Sequence, residues 1–110
     1  MAARSTVPGL GPLEAAIMTV LWNTSGPLKP QEVRDRIGHH PVAYTTVASV
    51  MVILVGKDLA VRARRGKAYW YRAAVSRDRY LAGVVQATLG AADDPERVLA
   101  FASSAAQFAG

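Results

Sequence analysis

Residues 57–72 read Lys-Asp-Leu-Ala-Val-Arg-Ala-Arg-Arg-Gly-Lys-Ala-Tyr-Trp-Tyr-Arg, six bases against the single acid Asp58. From Leu59 to Arg65 the apolar residues Leu59, Val61 and Ala63 alternate with Arg62 and Arg64, the period of a half-exposed strand. Arg65-Gly66-Lys67 is a tight turn. Ala68-Tyr69-Trp70-Tyr71-Arg72 is a run of strand formers that returns antiparallel. The stretch is a basic β-hairpin.

Upstream of it the period is helical. Leu13, Ala16, Ile17, Val20 and Leu21 recur at helical spacing, and Pro12 suits the first turn, where its missing N–H costs nothing. Asn23-Thr24-Ser25-Gly26-Pro27 stops this helix with turn chemistry. Pro30 opens a shorter helix with Val33 and Ile37 inward, which Gly38-His39-His40-Pro41 breaks. A third helix runs from about Tyr44 to Lys57 on a buried stripe of Val47, Val50, Met51 and Leu54. That stripe leaves Val52 or Ile53 exposed. Downstream, Ser76 with Asp78 and Arg79 begins a fourth helix that carries Leu81, Val84, Val85 and Leu89 on one face and closes at Gly90. Asp94 caps a fifth helix with Pro95 at its first position and Val98, Phe101, Ala102, Ala105, Phe108 and Ala109 apolar.

Three short helices followed by a basic hairpin is the order of a winged helix-turn-helix. The fold expected is mainly α with a small β-hairpin: a winged helix-turn-helix head followed by C-terminal dimerisation helices. The chain divides into a flexible N-terminal arm at 1–9, a DNA-binding winged-helix domain at 10–75 and a helical dimerisation segment at 76–110.

Composition agrees with that division. A chain of 110 residues fits one domain. The absence of cysteine excludes disulfides, thiolate metal sites and a cysteine nucleophile. The longest apolar run, Val50 to Val55, is far short of the roughly 18 residues of a membrane span. Arg4 is followed by Gly9, Gly11 and Pro12 rather than an apolar leader, so the expectation is a cytoplasmic protein without membrane insertion. The net charge of +5 is uneven: residues 1–75 hold ten bases and four acids, residues 76–110 three bases and four acids. The basic part suits a polyanion. The near-neutral part has another task. The apolar residues Leu81, Val84, Val85, Leu89, Val98, Phe101 and Phe108 exceed what a winged helix needs to close its core, and would form a homodimer interface.

Candidate contacts to double-stranded DNA follow from position. Tyr44, Thr45, Thr46 and Ser49 stand at the start of the third helix, where hydroxyls bond base edges or phosphates and a threonine methyl meets a thymine methyl. Thr45 could instead cap the helix, and Tyr44 could pack on the second helix. Lys57, Arg62, Arg64, Arg65 and Lys67 supply phosphate contacts, Arg65 and Lys67 flanking Gly66 at the tip. Arg62 and Arg64 share one strand face and could be a solvated ladder, while Arg72 suits pairing with an acid. Trp70 fits core packing, or a stacking platform for single strands. His39-His40 lacks the further converging ligands a metal needs, so no metal and no cofactor are expected. No nucleophile–base grouping suggests an enzyme.

These residues together resemble the BlaI/MecI-type penicillinase repressors, a family of bacterial winged-helix regulators. The matching pieces are Leu13-Glu14, Met18 and Leu21-Trp22, then Pro27-Leu28, Glu32-Val33 and Ala43-Tyr44-Thr45-Thr46-Val47. Leu54, Lys57 and Leu59 continue the pattern, with Arg62, Arg64, Gly66, Ala68 and Tyr71 in the wing and Ser76-Arg77 after it. The similarity covers roughly residues 9–90. It implies a sequence-specific DNA-binding repressor that binds an inverted-repeat operator as a homodimer through its C-terminal helices. It also implies, for some members, release by a membrane sensor protease. Three departures stand out. Val52 and Ile53 replace polar or basic residues of the third helix. The resemblance implies a further helix beyond the position of Phe108, where this sequence gives two residues, so the expectation is a weaker or rearranged dimer. The family's Asn-Phe cleavage bond stands here as Ala100-Phe101, which argues against cleavage. The alternative function is a winged-helix protein-interaction module that uses Val52 and Ile53, with weak or no duplex binding.

Overall fold

The computed structural model describes residues 7–38 and 42–109, the side chains of 105–109 excepted. Its backbone falls into two compact units, one ending at Arg77 and one starting at Asp78. The first holds helices α1 (Pro12–Trp22), α2 (Pro30–Ile37) and α3 (Tyr44–Gly56), then strands β1 (Ala60–Arg65) and β2 (Ala68–Ala73). Helices α4 (Arg77–Gly90) and α5 (Pro95–Ala109) form the second. The molecule is mainly helical with a small antiparallel hairpin, as the sequence pattern implies.

Helices α1 and α2 start by the same device. Each has proline at its first position and glutamate two residues on. The glutamate accepts the N–H of the residue before the helix: Gly11 to Glu14 Oε1 at 2.9 Å, and Lys29 to Glu32 Oε1 at 2.9 Å. That is one half of a capping box, and it needs no cap side chain. Helix α2 ends on Gly38 in the left-handed region, φ 72°. The His39-His40 pair lies outside the described residues.

At the end of α3 the left-handed position is taken by Asp58, φ 64°. The amides of Asp58 and Leu59 return to the carbonyls of Val55 and Leu54 at 3.0 Å each. Left-handed backbone costs an L-residue about 1–2 kcal/mol, less for aspartate. A carboxylate also sits poorly at a helix C-terminus. Asp58→Gly is therefore expected to raise stability by about 0.5 kcal/mol after the extra entropy of an unfolded glycine is subtracted. A higher urea midpoint at unchanged m-value checks this.

The core joins Ile17, Met18 and Leu21 of α1, Val33 and Ile37 of α2, and Val47, Met51 and Leu54 of α3. Leu28, Ala60 and Tyr71 close it from the loop and hairpin. The expected α3 stripe is present, with Val50 half-buried at its edge. In α1 the buried stripe includes Met18 and Ala15, while Leu13, Ala16 and Val20 pack half-buried around it.

The hairpin pairs Ala60 with Ala73, Arg62 with Tyr71, Ala63 with Trp70 and Arg64 with Tyr69. Directly opposed residues share a face. Ala60, Arg62 and Arg64 thus lie on the face of Tyr71, the one strand-β2 residue that is buried. Val61 and Ala63 are on the other face with Trp70, and both are exposed. The period-2 alternation is real, but of its apolar members Leu59 alone is sheltered, half-buried against the core, while beyond Ala60 the whole of β1 is exposed. A further pairing has no signal in the sequence spacing. Leu28 bridges Tyr71 on the side away from β1, exchanging N–H···O bonds of 2.8 Å in both directions. Trp22 Nε1–H donates to the carbonyl of Val75 at 3.0 Å, which ties the end of α1 to the strand exit.

In the second unit Asp94 caps α5 as expected, its Oδ1 accepting the Arg97 N–H at 3.1 Å. No described side chain of α4 or α5 is buried.

Candidate nucleic-acid interface

Helix α3 buries Val47, Met51 and Leu54. At about 100° per residue the opposite ridge carries Thr45, Ser49, Val52 and Gly56, with Thr46 and Ile53 beside it. All six residues are exposed. The ridge is hydroxylic over its first turns and aliphatic over its last. Val52 and Ile53 are 46% and 50% exposed, so both, not one, face outward. Tyr44 is also exposed rather than packed on α2. The cap residue of α3 is Ala43, and no side chain caps this helix, so Thr45 stands inside it at the second position and is not its cap.

Lys57 follows α3, and its Nζ meets Glu14 Oε2 at 2.7 Å. The same carboxylate accepts the Gly11 amide through its other oxygen. One glutamate therefore links the start of α1 to the end of α3, and Lys57 is engaged within the molecule rather than extended. The hydrogen bond from Lys57, then that from Gly11, hold the Glu14 carboxyl below the usual carboxylate range. A depressed folded pKa contributes stability above the ordinary carboxyl pKa, and that contribution is lost as pH falls through the folded value. Lys57→Met should lower the urea midpoint near pH 7 by an amount worth about 0.2–1 kcal/mol, and the difference should be smaller at about pH 3, below the ordinary carboxyl pKa. Equal midpoints at both pH values would show that the pair contributes nothing.

The hairpin spreads its bases over both faces. On the Tyr71 face, Arg62 donates from Nη1 to the Tyr71 hydroxyl at 3.3 Å and lies 4.1 Å from the centre of the Tyr69 ring. Arg64 bonds the Gly66 carbonyl through Nε at 3.0 Å and approaches the same ring at 5.9 Å. On the opposite face Trp70 is half-buried, with Lys29 and Arg65 at 5.3 and 5.4 Å from its ring. Trp70 is thus part of neither the buried core nor a bare platform. The two-residue turn Gly66-Lys67 has φ 62° at Gly66 only, the glycine-first pattern of hairpin turns. Lys67 at the tip makes no side-chain bond, ion pair or ring contact among the described residues. Arg72 is exposed and, among the described residues, is paired with no acid, contrary to expectation.

Among the residues expected to dimerise, Val85, Val98 and Phe101 are exposed, and Leu81, Val84 and Leu89 are half-buried. Leu99 is exposed with them, an addition that the helical stripe of α5 did not include. The side chain of Phe108 lies outside the described residues. The Ala100–Phe101 bond falls within α5. Among the described residues no three His, Asp or Glu side chains group as a metal site, and no helix is long and apolar enough to cross a membrane.

A family model described as penicillinase repressor matches residues 10–108. Two curated relatives, from Mycobacterium tuberculosis strains CDC 1551 / Oshkosh and ATCC 25618 / H37Rv, are each named transcriptional regulator BlaI. Each is 34% identical over 86 residues, covering 77% of this chain and 62% of the relative. The match thus spans less than two thirds of the relatives' length.

Proposed function

This chain belongs to the penicillinase repressor family, and we propose that it is a transcriptional repressor that binds an inverted-repeat duplex operator as a homodimer. One observation carries the reading: the hairpin's bases have no acids of their own. Arg62, Arg64, Arg65, Lys67 and Arg72 form no ion pair with any described carboxylate. Such a concentration of unneutralised charge is offset when phosphates take the place of the missing acids and counterions are released. The exposed ridge of α3 stands in the same unit, with Tyr44, Thr45, Thr46 and Ser49 placed to meet base edges.

The homodimer rests on the second unit. Helices α4 and α5 expose Val85, Val98, Leu99 and Phe101, and contain no buried described side chain. A two-fold partner would cover these residues and set two α3 helices against the two halves of a palindrome.

Two substitutions separate the roles. Lys67→Ala should weaken all duplexes alike and reduce the slope of log affinity against log salt by about one. Thr46→Ala should lower the preference for operator over random duplex by about tenfold, since a lost base contact costs roughly 1–3 kcal/mol. Fluorescence anisotropy on both duplexes measures each. Equal loss on the two duplexes for Thr46→Ala would remove it from base reading. The exposure of Val52 and Ile53 favours one competing reading, an apolar protein-docking face, which predicts a folded chain that binds no duplex even at low salt.

A further inference from the structure

The sequence of α3, YTTVASVMVILVG, contains no arginine, lysine, asparagine, glutamine, aspartate or glutamate. Those are the side chains that make the specific polar pairings of major-groove readout: Arg or Lys with guanine, Asn or Gln with adenine, Asp or Glu with cytosine. No such pairing is open to this helix. Its exposed ridge offers hydroxyls at Thr45, Thr46 and Ser49, and branched methyls at Thr45, Thr46, Val52 and Ile53. Val52 lies in line with Thr45 and Ser49 along the helix axis. Against base edges, a methyl surface discriminates through one feature, the C5-methyl group of thymine.

We infer that Val52 and Ile53 are specificity-determining residues that extend base reading along α3 by packing against thymine methyl groups, so that this repressor recognises a methyl pattern rather than guanines. The inference rests on the DNA-binding reading above. Thymine is preferred to a protein partner as the occupant for two reasons. The aliphatic patch is continuous with the hydroxylic one on a single ridge. It also belongs to the same unit as a hairpin whose bases lack acids, a setting that draws a polyanion to this surface.

The test uses the full chain and a duplex selected from a randomised library at low salt. Each thymine of that duplex is replaced in turn by deoxyuridine, which removes the methyl and leaves every hydrogen-bonding group in place. Replacement at the positions under Val52 and Ile53 should weaken binding about fourfold each, the value of one buried methyl. In the Val52→Ala and Ile53→Ala variants those same replacements should have little further effect, because the methyl has already lost its partner. Both residues are exposed, so neither variant threatens the core. A selected duplex that binds equally well with deoxyuridine throughout overturns the inference and leaves the DNA-binding reading standing. So does a deoxyuridine loss that persists undiminished in both variants, which assigns the methyl contacts to the threonines. Failure to select any duplex overturns both readings and assigns the ridge to a protein.

Discussion

Tyr71→Ala should lower the stability of the first unit by about 3–5 kcal/mol, the range for truncating a buried aromatic residue. The ring is 3% exposed and sits among Leu28, Ala60 and the helical core residues. The residue's backbone N–H and C=O both bond Leu28, β2 pairs with β1 on the other side, and the Tyr71 hydroxyl accepts a hydrogen bond from Arg62. A domain with about 5–15 kcal/mol in total loses much of its margin in one step. Tyr71→Phe keeps the ring and should cost about 1 kcal/mol or less, since only one partly exposed hydrogen bond is lost. Urea unfolding of both variants reads the difference. If Tyr71→Ala costs no more than Tyr71→Phe, the hairpin is not rooted through this side chain.

The second large effect concerns α5. Phe101 is 68% exposed, the most exposed large hydrophobic residue among the described residues, with Val98 and Leu99 nearby on the helix. Phe101→Asp places a charge where an apolar partner surface is expected, and burying an unpaired carboxylate is far costlier than leaving it in water. Sedimentation velocity at micromolar protein should show a dimer for the native chain and a monomer for the variant. Operator affinity should fall by about a hundredfold or more, because two linked half-site contacts become one. The urea midpoint of the first unit should not move, since none of its core residues comes from α5. A dimer that survives Phe101→Asp would place the self-association elsewhere.

Much of this architecture is written in local signals. Proline at the first helical position and glycine just past the end act within a few residues of themselves. They therefore mark the start of α1 and both ends of α2 without reference to the fold. The α3 stripe is legible for the same reason. What was not legible depends on contacts distant in sequence. The facing of the hairpin is set by where it is rooted: Ala60 and Tyr71 are its buried residues, and Ala73 packs half-buried against the core beside them. Their face also carries Arg62 and Arg64, so an overhanging strand leaves Val61 and Ala63 in solvent although both are apolar. The Leu28–Tyr71 bridge and the Lys57–Glu14 pair each join residues more than forty positions apart. No spacing announces them. In the candidate site, position identified Thr45, Thr46, Ser49 and Lys67 as exposed. It could not show that Lys57 is engaged at the surface by Glu14, or that Arg62, Arg64 and Arg65 rest against tyrosine and tryptophan rings.

The most direct measurement is the affinity of the intact chain for a selected duplex and for its separated strands as salt is raised from about 50 to about 200 mM. A dimer that neutralises phosphates with two basic hairpins should bind the duplex tightly and lose about a thousandfold or more over that range, whereas the single strands bind weakly throughout. A folded, dimeric protein that binds no duplex at about 50 mM salt would contradict the assignment of this surface to DNA.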